Sequence, residues 1–206
     1  MGTTATGTLH LTDTELGKLS NELSLITFGS ASGTSKITAA EYTYVDNIKL
    51  VNAGTSSGGI KFIGAVSVGT NNLTLNTTGT VTAAITAAGL ELLGTGGTYT
   101  LINADNAITT LAGNTGTVSF LENSGFAIGT INSAASLTTS GNTTLSSTGT
   151  VTQSAAITAT GLELLGAAGI YTLTNISNAI TTLAGNTGTV SLVENSGFAI
   201  GTVNTH

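Results

Sequence analysis

The 206-residue chain contains no cysteine, proline, tryptophan or arginine. Without cysteine, neither a disulfide framework nor a thiolate metal site can form. A cysteine-free composition suits an exported bacterial protein, although many cytosolic proteins share it. Functions that depend on cysteine chemistry are therefore excluded.

Charged residues are also scarce, at 7% of the chain, and the formal net charge is −6. All basic residues lie within the first 61 positions, as Lys18, Lys36, Lys49 and Lys61. Nucleic-acid binding needs a basic stripe that neutralises phosphates, and anionic membrane surfaces attract basic clusters. We therefore expect no nucleic acid and no anionic membrane surface among the partners.

The sequence has no run of about 18 uninterrupted apolar residues, which predicts that no helix is inserted into a membrane. The first residues lack the basic and apolar regions of a secretory signal. If the parent protein is secreted, we expect this sequence to be an excerpt from it. Met1-Gly2 and His206 are then expected to be additions made for expression and purification.

An internal repeat with a period of 72 residues organises the chain. Residues 89–132 align with 161–204, and 35 of these 44 positions are identical. A repeat that cannot bury its apolar face alone must stack on its copies. Between the copies there is one two-residue insertion, Gln153-Ser154, which we place in an outward-bulging corner loop.

Short alternating runs separated by Gly, Asn or Ser predict many short strands, because period two is typical of a half-buried strand. Tyr99 and Leu101 recur as Tyr171 and Leu173 while the opposite parity varies, so the Tyr and Leu positions are predicted to face inward. With roughly three coils per 72-residue unit, the sequence predicts an all-β, parallel β-helix of about nine coils. We assign residues 28–206 to this β-solenoid.

Residues 1–27 are the least repetitive part of the chain. Within them Leu16, Leu19 and Leu23 have helical spacing, which is compatible with a short N-terminal cap. The alternative, slightly favoured, is a first coil of the same solenoid, whose strand is masked by Glu and Lys. His10 lies between Leu9 and Leu11 and is expected on the solvent face of a strand.

Asparagine is predicted to shape the turns, because it tolerates left-handed backbone angles and bonds neighbouring backbone groups. Stacked coils can also align asparagine side chains into hydrogen-bonded ladders. The predicted structural repeat turns are at Asn103, Asn106, Asn114 and Asn123 in the first copy and at Asn175, Asn178, Asn186 and Asn195 in the second.

Three stretches of the sequence share one pattern: Gly89 to Gly125, the strands and turns from Ser140 to Gln153, and the opening from Leu11 to Ser30. They resemble the shaft of filamentous-haemagglutinin-like exoproteins. These large bacterial proteins are exported by two-partner secretion. The resemblance implies a right-handed β-helix from the interior of a shaft, exposed on a bacterial surface or released from it. The family's export domain carries Asn-Pro motifs, and this proline-free chain lacks them.

A carbohydrate-active β-helix is the enzymatic alternative. Glycoside hydrolysis needs two carboxylates roughly 5–5.5 or 6.5–9.5 Å apart. If 72 residues span three coils, Glu91 and Glu163 lie roughly 14 Å apart, as do Glu122 and Glu194. Glu91 and Glu122 could still meet on adjacent coils, but solvated turn or rim positions are favoured, and we predict no catalytic residues.

Other chemistry has less support. His10 and His206 are the only histidines and lie outside the repeats, which disfavours nucleophilic catalysis. No phosphate-binding loop occurs, and the glycine cluster Gly94-Thr95-Gly96-Gly97 is typical of a β-turn. No calcium-binding nonapeptide is present, although corner acids such as Asp46 or Asp105 could bind calcium weakly. No cofactor is expected.

Outward T-x-T pairs such as Thr80–Thr82 and Thr150–Thr152 suggest ice binding as a further alternative, but this spacing does not repeat coil by coil in the sequence. Exposed strands favour threonine in any case. The preferred prediction is a non-enzymatic shaft segment of a secreted bacterial adhesin or surface filament. Its expected partners are like chains, joined end to end or laterally, or cell-surface glycans and proteins.

Overall fold

The computed structural model describes residues 13–19, 22–39, 41–55 and 59–204. The chain is 59% strand and 2% helix and forms a parallel β-solenoid of about eight turns, which confirms the predicted fold class with one coil fewer. The described elements are α1 (Asp13–Leu16), β1 (Ile26–Ser30), β2 (Ile37–Ala39), β3 (Tyr42–Thr43), β4 (Ile48–Asn52), β5 (Ile60–Phe62), β6 (Val66–Ser67), β7 (Asn72–Thr77), β8 (Thr80–Val81), β9 (Ile85–Leu101), β10 (Ala107–Leu121), β11 (Ala127–Ile128), β12 (Leu137–Thr139), β13 (Asn142–Ser146), β14 (Thr150–Gln153), β15 (Ile157–Leu173), β16 (Ala179–Leu192) and β17 (Ala199–Ile200).

Strands of successive coils pair in parallel and in register, so that inward side chains stack on one another. One inward ladder runs through six coils as Ile26, Ile48, Leu73, Leu90, Leu111 and Ile128. From Ile48 to Ile128 these side chains are at most 1% exposed. The core is therefore a continuous aliphatic column inside the solenoid, and each coil covers the one before it.

The predicted inward parity is confirmed, because Tyr99, Leu101, Tyr171 and Leu173 are fully buried. The hydroxyl of Tyr171 donates to the carbonyls of Leu145 (2.9 Å) and Leu165 (2.6 Å). Burial raises the pKa of Tyr171 to about 12, against the opposing effect of its backbone hydrogen bonds. The two tyrosines thus place a neutral hydroxyl inside the core, where it satisfies carbonyls of two coils.

The runs on either side of Gly94–Gly97, which the sequence separates by a turn, form one continuous strand in the structure. The run at Gly94–Gly97, predicted as a β-turn, lies inside β9. There the register shifts, because Gly94 pairs with Thr115 while Thr98 pairs with Thr117. Gly94 has φ of 112°, and a Cβ on it would lie 2.1 Å from the carbonyl oxygen of Thr77. Glycine therefore lets one strand bend around a corner without ending.

The 72-residue repeat is not a whole number of coils. Glu163 pairs with Thr144, which pairs with Ser119, which in turn pairs with Thr100. Glu163 therefore lies three rungs above Thr100, 63 residues earlier, and not above its sequence equivalent Glu91. The repeat exceeds three coils by nine residues, so the second copy is displaced to the next face of the solenoid.

The described part of the N-terminal region contains one helical turn and the start of the first strand. A single helical turn, α1, buries Leu16 to 9% exposure, and the first strand, β1, begins at Ile26. Leu23, which was expected on the same helical face, is exposed. The rest of segment 1–27 before Asp13, including His10, lies outside the described residues.

Substitution of the corner glycines tests the bent strand. Gly94→Ala should lower the free energy of unfolding by about 3 kcal/mol, because a Cβ adds a steric clash to an unfavourable positive φ. Gly96→Ala should cost only about 1 kcal/mol, since Gly96 also has a positive φ, of 77°, but nothing lies within 4 Å of its added Cβ. Urea unfolding followed by circular dichroism measures both. Equal losses would show that the clash at Gly94 is not decisive.

Candidate functional site

Two buried asparagines each fasten two successive coils to one another. Asn106 is 4% exposed; its Oδ1 accepts the backbone N–H of Ile85 (2.9 Å), and its Nδ2 donates to the carbonyls of Leu101 (2.8 Å) and Leu121 (3.0 Å). The equivalent Asn178 makes the same three bonds, to Ile157, Leu173 and Val193. These two predicted turn residues are therefore structural links between coils.

The inserted Gln153 extends this network, which the sequence analysis did not foresee. Gln153 ends strand β14, and its amide and that of Asn178 exchange hydrogen bonds at 2.8 and 2.9 Å. Only Ser154 lies in the exposed bend that was predicted for both inserted residues. The prediction is wrong for Gln153, because its long amide side chain reaches the buried Asn178 and hydrogen-bonds to it. The alanine of the first repeat cannot make these bonds.

The other predicted turn asparagines fall into two groups. Asn103 and Asn175 accept backbone N–H groups two residues ahead at 2.8 and 2.9 Å, as turn residues do. Asn123 and Asn195 lie in bends. Asn114 and Asn186 instead lie exposed inside β10 and β16, because the strand continues through the corner where a turn was predicted.

The most elaborate polar site surrounds Glu91, whose side chain points away from the core yet is only 1% exposed. Its Oε1 accepts the N–H (2.9 Å) and hydroxyl (2.7 Å) of Ser133 and the N–H of Ala134 (2.9 Å). Its Oε2 accepts the hydroxyl of Thr74 (2.7 Å) and the amide of Asn132 (3.4 Å). Five donors thus converge on one carboxylate.

Four of the five donors come from a folded-back loop, residues 129–136, that covers the outer surface of the sheet, and the fifth, Thr74, lies on β7. Ile131 and Ala134 pack on Ala112 and Leu93 in a small apolar cluster outside the main core. Asn132 has φ of 47°, which aims its side chain back at Glu91 and Thr74. The carboxylate and the apolar cluster together hold this loop against the shaft.

The described part of the second repeat, up to residue 204, builds the Thr74 and Asn132 part of this site one face further round. Glu163 accepts the hydroxyl of Thr144 (2.7 Å) and the amide of Asn204 (3.4 Å), which are the equivalents of Thr74 and Asn132. Val203, equivalent to Ile131, is buried. The contacts that begin the folded-back loop therefore recur in the second repeat, on the neighbouring face.

The charge of Glu91 is stabilised by its partners. Burial opposes ionisation, but the hydrogen bonds from Thr74, Ser133 and Asn132 outweigh it and lower the pKa of the carboxyl below its ordinary value. The group is therefore an anion at neutral pH whose acceptor positions face the loop. It is held as a structural acceptor.

The carboxylates considered for glycoside hydrolysis do not share a site. Glu122 accepts the hydroxyl of Ser124 and the N–H of Gly125, both at 2.5 Å, and Glu194 makes the equivalent bonds to Ser196 and Gly197. None of these partners also bonds Glu91. Because the repeat is displaced by one face, the direct stacking of equivalent acids assumed from the sequence is also wrong.

Outward threonines stack in rows that the sequence alone did not reveal. Thr80 pairs with Thr98 and Thr98 with Thr117, while Thr100 pairs with Ser119. The second repeat builds the corresponding rows from Thr150, Ile170 and Thr189 and from Thr152, Thr172 and Ser191. Ser119, Ile170 and Ser191 interrupt these rows, so the T-x-T pattern does not repeat on every coil, as the sequence indicated. Ice binding stays a prediction.

The C-terminal end of the solenoid, formed by β16 and β17, exposes residues whose equivalents are core. Phe126 and Ile128 are 4% and 0% exposed beneath the following coil, whereas Phe198 and Ile200 are 39% and 77% exposed. Strand β17 is the last in the strand order, so its outer backbone groups have no strand partner among the described residues. This end presents both apolar surface and free hydrogen-bonding groups.

Among the described residues, no cluster of three or more His, Cys, Asp or Glu side chains could hold a metal ion. The same part of the chain contains no helix with the length and apolar character needed to cross a membrane. His10 and His206 lie outside the described residues.

Removal of a coil-linking asparagine should be costly. Asn106→Ala leaves one buried N–H and two carbonyls without their partner, so we expect a loss of about 3 kcal/mol in the free energy of unfolding. The exposed Asn114→Ala is the control and should change stability by less than about 0.5 kcal/mol. Chemical unfolding of both variants measures this. A loss below 1 kcal/mol for Asn106→Ala, on the order of one neutral hydrogen bond, would contradict the linking role.

Acid should release the folded-back loop. Glu91→Gln turns an amide N–H₂ toward groups that are all donors, and should cost about 2 kcal/mol at pH 7. The folded-state pKa of Glu91 is lowered, so its stabilising effect is fully present above the ordinary glutamate pKa of about 4.3 and is lost as pH falls through the lowered value.

Urea unfolding of the wild type and of Glu91→Gln from pH 7 to pH 3 measures this dependence. The difference between them should shrink below about pH 4. The exposed Asp105→Asn is the control for general charge effects. A difference that stays constant down to pH 3 would contradict the assignment.

Comparisons of the chain with models of protein families, with curated proteins and with solved structures found no match. The fold thus stands on the structure itself. The resemblance to filamentous-haemagglutinin-like shafts stays a prediction from the sequence.

Proposed function

We propose that this chain is a non-enzymatic shaft segment of a secreted or surface-exposed bacterial adhesin or filament, and that copies associate end to end. A shaft must resist bending and fraying between its ends. The asparagine links between successive coils, the unbroken aliphatic ladder and the clasped outer loop all support such a role. Each of them holds coils together without shaping a cleft.

The C-terminal end carries the proposal of association. The surface that exposes Phe198 and Ile200 is, in the first repeat, covered by β13 and β14 in parallel register. The chain itself therefore shows that this arrangement of residues accepts another β-coil. At the opposite end, β1 is the first strand in the order, and Leu23, Leu25 and Val45 are exposed.

Head-to-tail contact between these two ends would continue the parallel ladder from copy to copy. Such a contact is heterologous, because different surfaces meet, and it generates open filaments if the rotation does not close a ring. Unpaired strand edges are known to template this kind of pairing. The expected product is a rod that lengthens with concentration.

The test is light scattering after size exclusion, with negative-stain microscopy, over a range of concentrations. Wild-type rods should lengthen in multiples of one chain, and Ile200→Lys should reduce association at least tenfold, because it places a charge in the contact. Ile176→Lys is the matched control, since Ile176 is 70% exposed in a lateral turn. It should leave association unchanged.

A single short rod at every concentration would overturn the association. It would direct attention to the threonine rows on the side faces as surfaces for cell-surface glycans. An equal effect of both lysine variants would show that the ends have no special role.

A further inference from the structure

A cavity lies at the N-terminal end of the solenoid, next to the exposed Val45. It has a volume of about 130 Å³ and lies between the α1 turn and the first coils. Its lining includes apolar walls from Leu16, Leu19, Ile26 and Val45, together with Tyr42, Tyr44 and Asp46. Its volume is close to that of an apolar protein cavity of ~150 Å³ that holds a benzene molecule.

Asp46 makes this cavity unusual. The side chain is only 4% exposed, and its Oδ2 has no hydrogen-bond partner. It is the one buried side-chain polar atom of the described residues in that condition. By contrast, the buried carboxylate of Glu91 receives five donors. A buried carboxylate oxygen without a partner is costly, so Oδ2 lacks a positively charged or hydrogen-donating partner.

The aromatic residues indicate which partner fits. The chain has only nine Phe and Tyr residues in all, and three of them meet here. The rings of Tyr42 and Tyr44 lie 4.7 Å apart, edge to face, and Phe28 lies 6.4 Å from Tyr44. Aromatic rings beside a carboxylate are the usual surroundings of an organic ammonium group, which binds through charge and through the ring quadrupole.

Other ligand classes fit less well. An anion would be repelled by Asp46. Calcium, which the sequence left open for this residue, takes six to eight oxygen ligands, whereas the cavity walls are mainly aliphatic and aromatic. No second acidic residue lines the cavity.

We propose that this cavity binds an organic ammonium group, with Asp46 as its counter-ion and Tyr42 and Tyr44 as its aromatic wall. The ammonium could be primary, as at the end of a lysine side chain, or quaternary, as in choline. Either would supply the charge that Asp46 lacks and place its carbon substituents against Leu16 and Ile26. This inference does not depend on end-to-end association, although the cavity lies at the N-terminal end that such a contact would cover and shares Val45 with it.

The experiment titrates the full chain with choline, with N-acetyl-lysine methylamide and with 3,3-dimethyl-1-butanol, the uncharged carbon analogue of choline. Amide chemical shifts and calorimetry report binding. One of the two cations should bind with one-to-one stoichiometry and shift the amides of residues 42–47, and the alcohol should not. Which cation binds more tightly identifies a quaternary or a primary ligand.

Variants test the roles of the residues. Asp46→Asn should weaken cation binding at least tenfold and, because it removes an unpaired buried charge, should raise the thermal midpoint of the ligand-free protein. Tyr42→Leu keeps an apolar wall without the ring and should weaken binding severalfold. Asp105→Asn, an exposed acid, is the control and should bind as the wild type does.

Several outcomes would overturn the proposal. Failure of both cations to bind at millimolar concentration would do so, as would equal binding of the uncharged alcohol. Equal weakening by Asp105→Asn would show only general charge attraction. If Asp46→Asn does not fold, the contrast between choline and the alcohol on the wild type still decides the question.

Discussion

Parallel in-register stacking of coils is the constraint on which the rest of this structure depends. Every strand draws its backbone partners from the coils before and after it, and every inward side chain must fit above another. The ladder from Ile26 to Ile128 satisfies the apolar part of this requirement. Asn106 and Asn178 satisfy the polar part, because each pairs backbone groups that corners leave without ladder bonds.

The same sequence has different environments in its two copies, which separates local from tertiary effects. Glu122 and Glu194 make the same turn bonds, since those bonds need only the next three residues. Ile128 is fully buried and Ile200 is largely exposed, because only Ile128 is covered by another coil. The C-terminal end is therefore chemically a piece of core, which supports association as the proposed function.

The displacement of the repeat by one face bears on function as well. A repeat of whole coils would place Glu163 directly above Glu91 and line the folded-back loops along one side. The nine extra residues instead place Glu163 above Thr100 and move its loop to the neighbouring face. Each buried carboxylate is consequently an isolated clasp, and the two clasps lie on neighbouring faces of the shaft. This arrangement is consistent with the proposed mechanical role.

Sequence alone determined the all-β class, the solenoid, the inward parity of Tyr99 and Leu101 and the turn role of Asn103. These follow from period-two patterns and from local bonding, which are readable in short windows. The exclusion of nucleic acid likewise rests on composition and stays a prediction.

Only the tertiary structure decided how the second copy of the repeat is placed on the first. The displacement by nine residues depends on the corner geometry at Gly94 and on the strand register between residues that are far apart in the chain. The tertiary structure alone placed Ser133 and Asn132 on Glu91, more than 40 residues away. It also buried Asp46 beside Tyr42 and Tyr44. Long-range pairing of this kind leaves no local pattern, since a carboxylate at a rim and one beneath a folded loop look the same in sequence.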